Sequence, residues 1–206
     1  MSSNQISFPA NIDQPVYLVT PGAAGTHALV KHFGLRIKGG VPWWNVHARA
    51  PGLPPAGSRI LYVYGNPYDA VVSYFNRGFM SNPTHCVNMQ GDSDSWMKAH
   101  NSTLDGYLDY GLDVFALEDH LTRWASYKRR NYNIAFLKYE HIMDHVADIE
   151  RWTGMSMDGF EFIPRRSDWR TLPPRTSEKL HVVYGKAMHA YESMPTFIVN
   201  PMVQCA

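Results

Sequence analysis

The chain has 206 residues, 45% of them hydrophobic, which suits one domain with a sizeable core and excludes an intrinsically disordered segment. A formal net charge of +1 excludes a general nucleic-acid or membrane-surface footprint, so any anion site has to be local. Two cysteines, Cys86 and Cys205, make no disulfide framework and point to a reducing compartment.

The amino-terminal stretch MSSNQISFPANIDQP lacks the basic and apolar regions of a signal peptide. No apolar run approaches the roughly 20 residues of a membrane span, so a soluble, cytoplasmic protein is expected and the sequon Asn101-Ser102-Thr103 is taken as chance. Val16 to Thr20 is a buried strand, followed by a Gly-rich turn and a helix over Thr26 to Phe33. Gly39 to Pro55, rich in Gly, Pro and Trp, is a loop. Ile60 to Tyr64 is a second strand, and Pro67 to Arg77 a helix with proline in its first turn, where the missing N–H costs nothing. Gly78 to Ser102 is polar and loop-like.

Helices are expected at Thr103 to Leu108 and at Val114 to Asn131, with Tyr107, Tyr110, Phe115 and Trp124 in the core. Ile134 to Tyr139 is a third strand and His141 to Thr153 a helix. Pro164 to Pro174 is a basic loop, and Ser177 to Tyr191 a final helix. Strands alternating with helices predict an α/β fold, three layers deep, with a central parallel sheet whose ligands sit at the strands' carboxyl ends. A single domain is expected over residues 1–206, its core spanning about 16–191, with 1–15 and 192–206 as terminal extensions.

The first turn supplies an anion site on physical grounds. Gly22 and Gly25 let backbone N–H groups approach a phosphate, the following helix offers its positive dipole end, and Thr26 adds a hydroxyl. Strand-to-helix punctuation is the plainer use of such a turn, and both readings stand at this point. The GxxxxGK[ST] pattern is absent, and no apolar strand ends in a magnesium-holding aspartate, which disfavours nucleotide hydrolysis.

Beside the second strand and its turn, this segment resembles the sulfotransferases that use 3′-phosphoadenosine-5′-phosphosulfate. Their phosphosulfate loop, Pro-Lys-Ser-Gly-Thr-Thr, is matched by Gly22-Ala23-Ala24-Gly25-Thr26-His27. Their 3′-phosphate element, Arg-Asn-Pro with a serine eight residues after the arginine, is matched by Gly65-Asn66-Pro67 and Ser73. Tyr110-Gly111 with His120 and Trp124 is similar to the family's Tyr-Gly and His-x-x-x-Trp region. Leu137 to Ile142 is similar to its Tyr-Glu-Asp-Met strand end, and Arg165 to Arg170 to a shortened Arg-Lys-Gly loop followed by Gly-Asp-Trp-Lys.

The resemblance implies a P-loop-NTPase-like sulfotransferase fold and transfer of a sulfuryl group from 3′-phosphoadenosine-5′-phosphosulfate to a hydroxyl or amine, without a metal. It implies a donor site of Gly22, Ala23, Ala24, Gly25, Thr26, His27, Ser73, Tyr139, Arg165 and Arg166, with His47 as general base. A histidine titrating near neutrality suits that task, and a loop histidine with no role is the plainer alternative. The departures are as specific as the matches. Ala23 stands in place of the family's lysine, Ala24 of a hydroxyl, Ala28 of an adenine-stacking tryptophan and Gly65 of the phosphate-binding arginine. Losing one preorganised electrostatic donor commonly costs about 100-fold to 1000-fold in rate. Arg165, Arg166 and His27 are the candidate compensating groups, and for Arg165, Arg166 and Arg170 a solvated basic loop is the alternative.

Other constellations carry less. His141 and His145 lie one turn apart near Asp144 and Asp148 but lack a third ligand, so no metal site is expected. Trp169 is expected to pack as an anchor, and Trp43-Trp44 either lines an acceptor pocket or packs on the sheet. Two functions remain: a divergent sulfotransferase acting on a small-molecule or glycan acceptor, or a catalytically degenerate descendant serving as a binding or assembly module for a protein partner.

Overall fold

The computed structural model describes residues 16–33, 47, 57–79, 93–100, 102–126 and 132–200. Strand β1 (Val16–Val19) pairs in parallel with β2 (Arg59–Tyr64), which pairs in parallel with β3 (Asn133–Lys138). Strand β2, flanked on both sides, is buried at all six positions, the continuous apolar signature of a strand covered on both faces. Its first residue is a buried arginine, whose Nη1 donates to the Trp152 carbonyl at 2.6 Å, while the Trp152 indole donates to the Ile60 carbonyl at 3.1 Å.

Alternation along the strands sends one set of side chains to each face. Leu18, Leu61, Val63, Ala135 and Leu137 pack with Leu29 of α1 (Thr26–Phe33) and with Ile149 and Trp152 of α6 (Val146–Thr153). On the other face Val19, Ile60, Tyr62, Tyr64, Ile134 and Phe136 meet Leu121 and Trp124 of α5 (Leu117–Ser126), with Ala190 and Tyr191 of α7 (Pro174–Ser193) against them. Helices α2 (Pro67–Asn76), α3 (Ser93–Ala99) and α4 (Leu104–Leu108) contribute Tyr74, Trp96 and Tyr107 to a further cluster built on Leu180 and Tyr184 of α7. This is the three-layer α/β/α arrangement the sequence predicts. Among the described residues, no helix is long and apolar enough to cross a membrane.

Several boundaries differ from expectation, each for a local reason. Phe197–Asn200, within the stretch read as a terminal extension, forms β4 and pairs antiparallel with β3, so the sheet is mostly rather than wholly parallel. Ser93–Ala99, read as loop, is helix α3, because Trp96 and Ala99 bury one face in the cluster that holds Tyr107, Leu180 and Tyr184. Helix α5 begins at Leu117 rather than Val114, since Ala116 takes a positive φ of 51° and the Asp113 carboxylate accepts the Glu118 N–H at 3.4 Å. The stretch from Tyr139 to His145 is a 3-10 helix, with α6 starting only at Val146. Tyr110, expected in the core, is 49% exposed, while Tyr107, Phe115 and Trp124 are buried. Trp43, Trp44, Cys86, Cys205 and most of the Gly39 to Pro55 loop lie outside the described residues.

Candidate functional site

The carboxyl ends of β1, β2 and β3 open into one cleft of about 670 Å³, within the range ligand sites occupy. Gly22, Ala23, Ala24, Gly25, Thr26, His27, His47, Ser73, Tyr139, Arg165 and Arg166 all line it, so every site residue expected from the sequence comes to the same place. They come from five separate stretches of chain.

The Gly-rich turn carries positive φ at Gly22 (87°), Ala23 (51°) and Gly25 (67°). Ala23 is the one residue of the three that pays a steric cost for this conformation. The Gly22 N–H is not available to a ligand, because it donates to the Thr20 hydroxyl at 3.0 Å; the Thr26 hydroxyl reaches the same oxygen at 3.4 Å. Among the described residues the N–H groups of Ala23, Ala24 and Gly25 have no acceptor, and α1 starts directly behind them. Such a nest of amides at a helix N-terminus suits an anion. The Ala24 methyl, fully buried, belongs to the apolar cluster beneath the turn, so only its backbone faces this chemistry. Gly25 is required by its neighbour: a Cβ there would overlap the Tyr139 ring, whose hydroxyl donates to the Ile163 carbonyl.

The second turn is built around a different contact. Asn66 caps α2, its side chain accepting from the N–H groups of Tyr68 and Asp69 at 3.0 and 3.2 Å. The guanidinium of Arg165 lies against Gly65, where any Cβ would overlap Nη2 and stand 2.9 Å from Glu140 Oε1. Arg165 donates from Nη1 to the Asn66 carbonyl at 2.9 Å and from Nη2 to the Ala23 carbonyl at 2.6 Å. Glu140 Oε1 stands 3.7 Å from Nη1 and also accepts the Asn66 N–H at 3.0 Å. The basic loop is pinned further along, where the Trp169 N–H donates to Asp69 at 2.9 Å and the Trp169 ring meets Tyr68 and His181 edge-on. Trp169 is thus the anchor expected of it.

His47 is held by its ring. Nδ1–H donates to the Thr20 carbonyl at 2.8 Å, which places the lone pair of the neutral ring on Nε2. Burial lowers its pKa below 6.5, the Thr20 contact opposes that, and the charge of His27 adds to the lowering. Behind it, His120 is fully buried; its Nε2–H donates to the His47 carbonyl at 3.2 Å, so Nδ1 accepts the Tyr62 hydroxyl at 2.7 Å. This Tyr62–His120–His47–Thr20 chain was not legible in spacing, because its members come from β2, α5, residue 47 and the turn after β1.

Sequence reasoning also missed Arg77, which lines the cleft with Asn76 and Phe79. The signal was present: Arg77 follows Ser73 by four residues on α2, hence the same face. Arg170, grouped with Arg165 and Arg166 in the sequence, is instead paired with Asp168 through Nε at 2.7 Å and Nη2 at 3.2 Å. His141 and His145 each turn to an aspartate of their own, Asp144 at 2.7 Å and Asp148 at 3.1 Å. No group of three or more potential metal ligands occurs among the described residues.

Residues 46–159, more than half of the chain, match the family model described as a sulfotransferase domain. The chain belongs to the sulfotransferase family. The family's chemistry is transfer of a sulfuryl group, generally from 3′-phosphoadenosine-5′-phosphosulfate. Sulfotransferase character is matched from His47 through the Gly65 turn, Ser73, His120 and Tyr139, whereas the Gly-rich turn and Arg165 lie outside the matched span. Neither the comparison with curated proteins nor that with solved structures gives a match.

Proposed function

We propose that the protein transfers a sulfuryl group from 3′-phosphoadenosine-5′-phosphosulfate to a hydroxyl or amine of a small-molecule or glycan acceptor, with His47 as general base. The observation that carries the reading is the His47 ring: its Nδ1 is committed to Thr20, and the residue lines a cleft that also holds an amide nest. The residues present fit an anionic donor, since three turn amides lack acceptors among the described residues and the cleft is lined by the exposed cations Arg77 and Arg166. The donor, when bound, supplies the activated sulfuryl group. The turn amides orient its acidic end, and Ser73 adds a hydroxyl to the lining. His47 takes the proton from the acceptor, and its lowered pKa keeps it neutral and competent at pH 7.

A second reading is favoured by one observation, the methyl side chains of Ala23 and Ala24 in the turn. Neither supplies charge to the leaving phosphate, as expected of a degenerate member that binds a nucleotide or a protein partner without turnover.

Thermal shift with 3′-phosphoadenosine-5′-phosphate, against ATP as control, tests the binding step. Ligand at 100 times its dissociation constant should add about 2.7 kcal/mol of stability. No shift at millimolar concentration defeats both nucleotide readings. Binding without transfer of labelled sulfate to any of a panel of hydroxyl and amine acceptors selects the second.

A further inference from the structure

We propose that the paired arginines divide their work: Arg165 is an internal latch that occupies the volume vacated at Gly65, and the anion's cations are Arg166 together with Arg77. This rests on the nucleotide-binding reading of the same cleft and assigns its charges.

Arg165 is committed by geometry. Its two terminal nitrogens serve two backbone carbonyls, one in each of the two turns, and Glu140 lies beside it. Its side chain is 9% exposed. A guanidinium bonded to Ala23 and Asn66 holds the two strand ends in fixed relation, which is what a phosphate site split between them requires. Gly65 follows from this arrangement, since any side chain there would displace the guanidinium from both carbonyls. An arginine at 65 and an arginine at 165 would compete for one volume, so the chain keeps one. Of the three guanidinium nitrogens of Arg165, Nε alone is buried without a hydrogen-bond partner among the described residues.

Arg166 and Arg77 are placed differently. Both are exposed, both line the cleft, and neither side chain has a partner among the described residues. Arg77 sits at the carboxyl end of α2, one turn beyond Ser73, and Arg166 follows the latch residue in the pinned loop. Two guanidinium groups lining the same cleft as the Ser73 hydroxyl make an anion subsite that carries none of the latch's structural duty.

The test separates the two roles by readouts that do not need turnover. Apo melting temperature is measured for Arg165→Ala, Gly65→Ala, the double variant, Arg77→Ala and Arg166→Ala. Arg165→Ala and Gly65→Ala should each lower it by several degrees, and the double variant should be no worse than the more damaging single one. Arg77→Ala and Arg166→Ala should leave it unchanged. Titration with 3′-phosphoadenosine-5′-phosphate and with inorganic pyrophosphate, each at two salt concentrations, should then show about tenfold or greater weakening for Arg77→Ala and Arg166→Ala. Their residual affinity should depend less on salt, as befits loss of a charge contact. Additive melting losses for Gly65→Ala and Arg165→Ala overturn the latch. A reduced salt dependence in Arg165→Ala, with the apo protein unaltered, makes Arg165 a ligand and overturns the division. If the nucleotide fails to bind but pyrophosphate binds through Arg77 and Arg166, the functional reading falls and the inference survives; if neither probe binds, the anion half falls too.

Discussion

The Nδ1–H of His47 donates to the main-chain carbonyl of Thr20, the residue just after β1 whose hydroxyl anchors the Gly22 amide. One residue thus orients both the candidate base and the candidate anion nest. A base and a leaving-group site tied to the same strand end keep their relative geometry without help from a mobile loop.

Replacement of His47 by glutamine should abolish base catalysis and leave the nucleotide site intact. Transfer of labelled sulfate should fall by about 100-fold or more, while the thermal shift with 3′-phosphoadenosine-5′-phosphate stays at the wild-type value. Because burial lowers the His47 pKa, the wild-type rate should fall on its acid side only below pH 6.5. The sign for stability follows: the fold disfavours the protonated ring, so this contribution is present above pH 6.5 and is lost as pH falls through the lowered value. Equal rates for wild type and His47→Gln would remove His47 from the mechanism.

Lysine at position 23 should restore the cation the turn lacks. If the protein turns over, Ala23→Lys should raise the transfer rate toward the 100-fold scale of one preorganised donor. A binding module would gain affinity for the nucleotide and still transfer nothing. The assay is labelled-sulfate transfer beside a nucleotide titration.

Gly25 and Gly78 make a matched pair for the Tyr139 contact. Both have φ near +70°, but a Cβ at 78 meets nothing within 4 Å, whereas at 25 it overlaps the Tyr139 ring. Gly78→Ala should cost only the left-handed penalty of about 1 to 2 kcal/mol. Gly25→Ala should cost clearly more and weaken nucleotide binding, as read by denaturant unfolding and titration.

Asp113 should make the fold less stable as pH rises. Burial pushes its pKa up to about 6 from 3.8, against which the N–H groups of Glu118, Leu117 and Ala116 pull down. A raised carboxyl contributes its stability below pH 3.8 and loses it as pH climbs through about 6. About two pKa units correspond to roughly 3 kcal/mol between pH 4 and pH 8. Asp113→Asn should flatten that profile in equilibrium denaturation.

Much of the architecture was legible because it is locally encoded. Thr26–Phe33 and Arg59–Tyr64 follow from apolar periodicity bounded by Gly and Pro, and the Asn66 cap with Pro67 behind it starts α2 as its chemistry predicts. Helix α3 and strand β4 were missed because neither has a strong pattern of its own; each exists through what it packs or pairs with, the cluster around Tyr107 and Tyr184 for one and β3 for the other. The same holds for His120, an ordinary helical residue until Tyr62 and His47 meet it.

The sequence by itself determined the layered fold, the family, and the two turns where a cation is missing, since these depend on residue type at fixed spacing along the chain. Only the tertiary structure decided what the gap at Gly65 is for. Arg165 is distant along the chain, and whether its charge faces a ligand or two carbonyls depends on where a loop is pinned, through Trp169 on Asp69 and Tyr139 on Ile163. Spacing counts residues, whereas hydrogen bonds are satisfied across space, so the loss of one arginine and the commitment of another became a single fact only when the chain was folded.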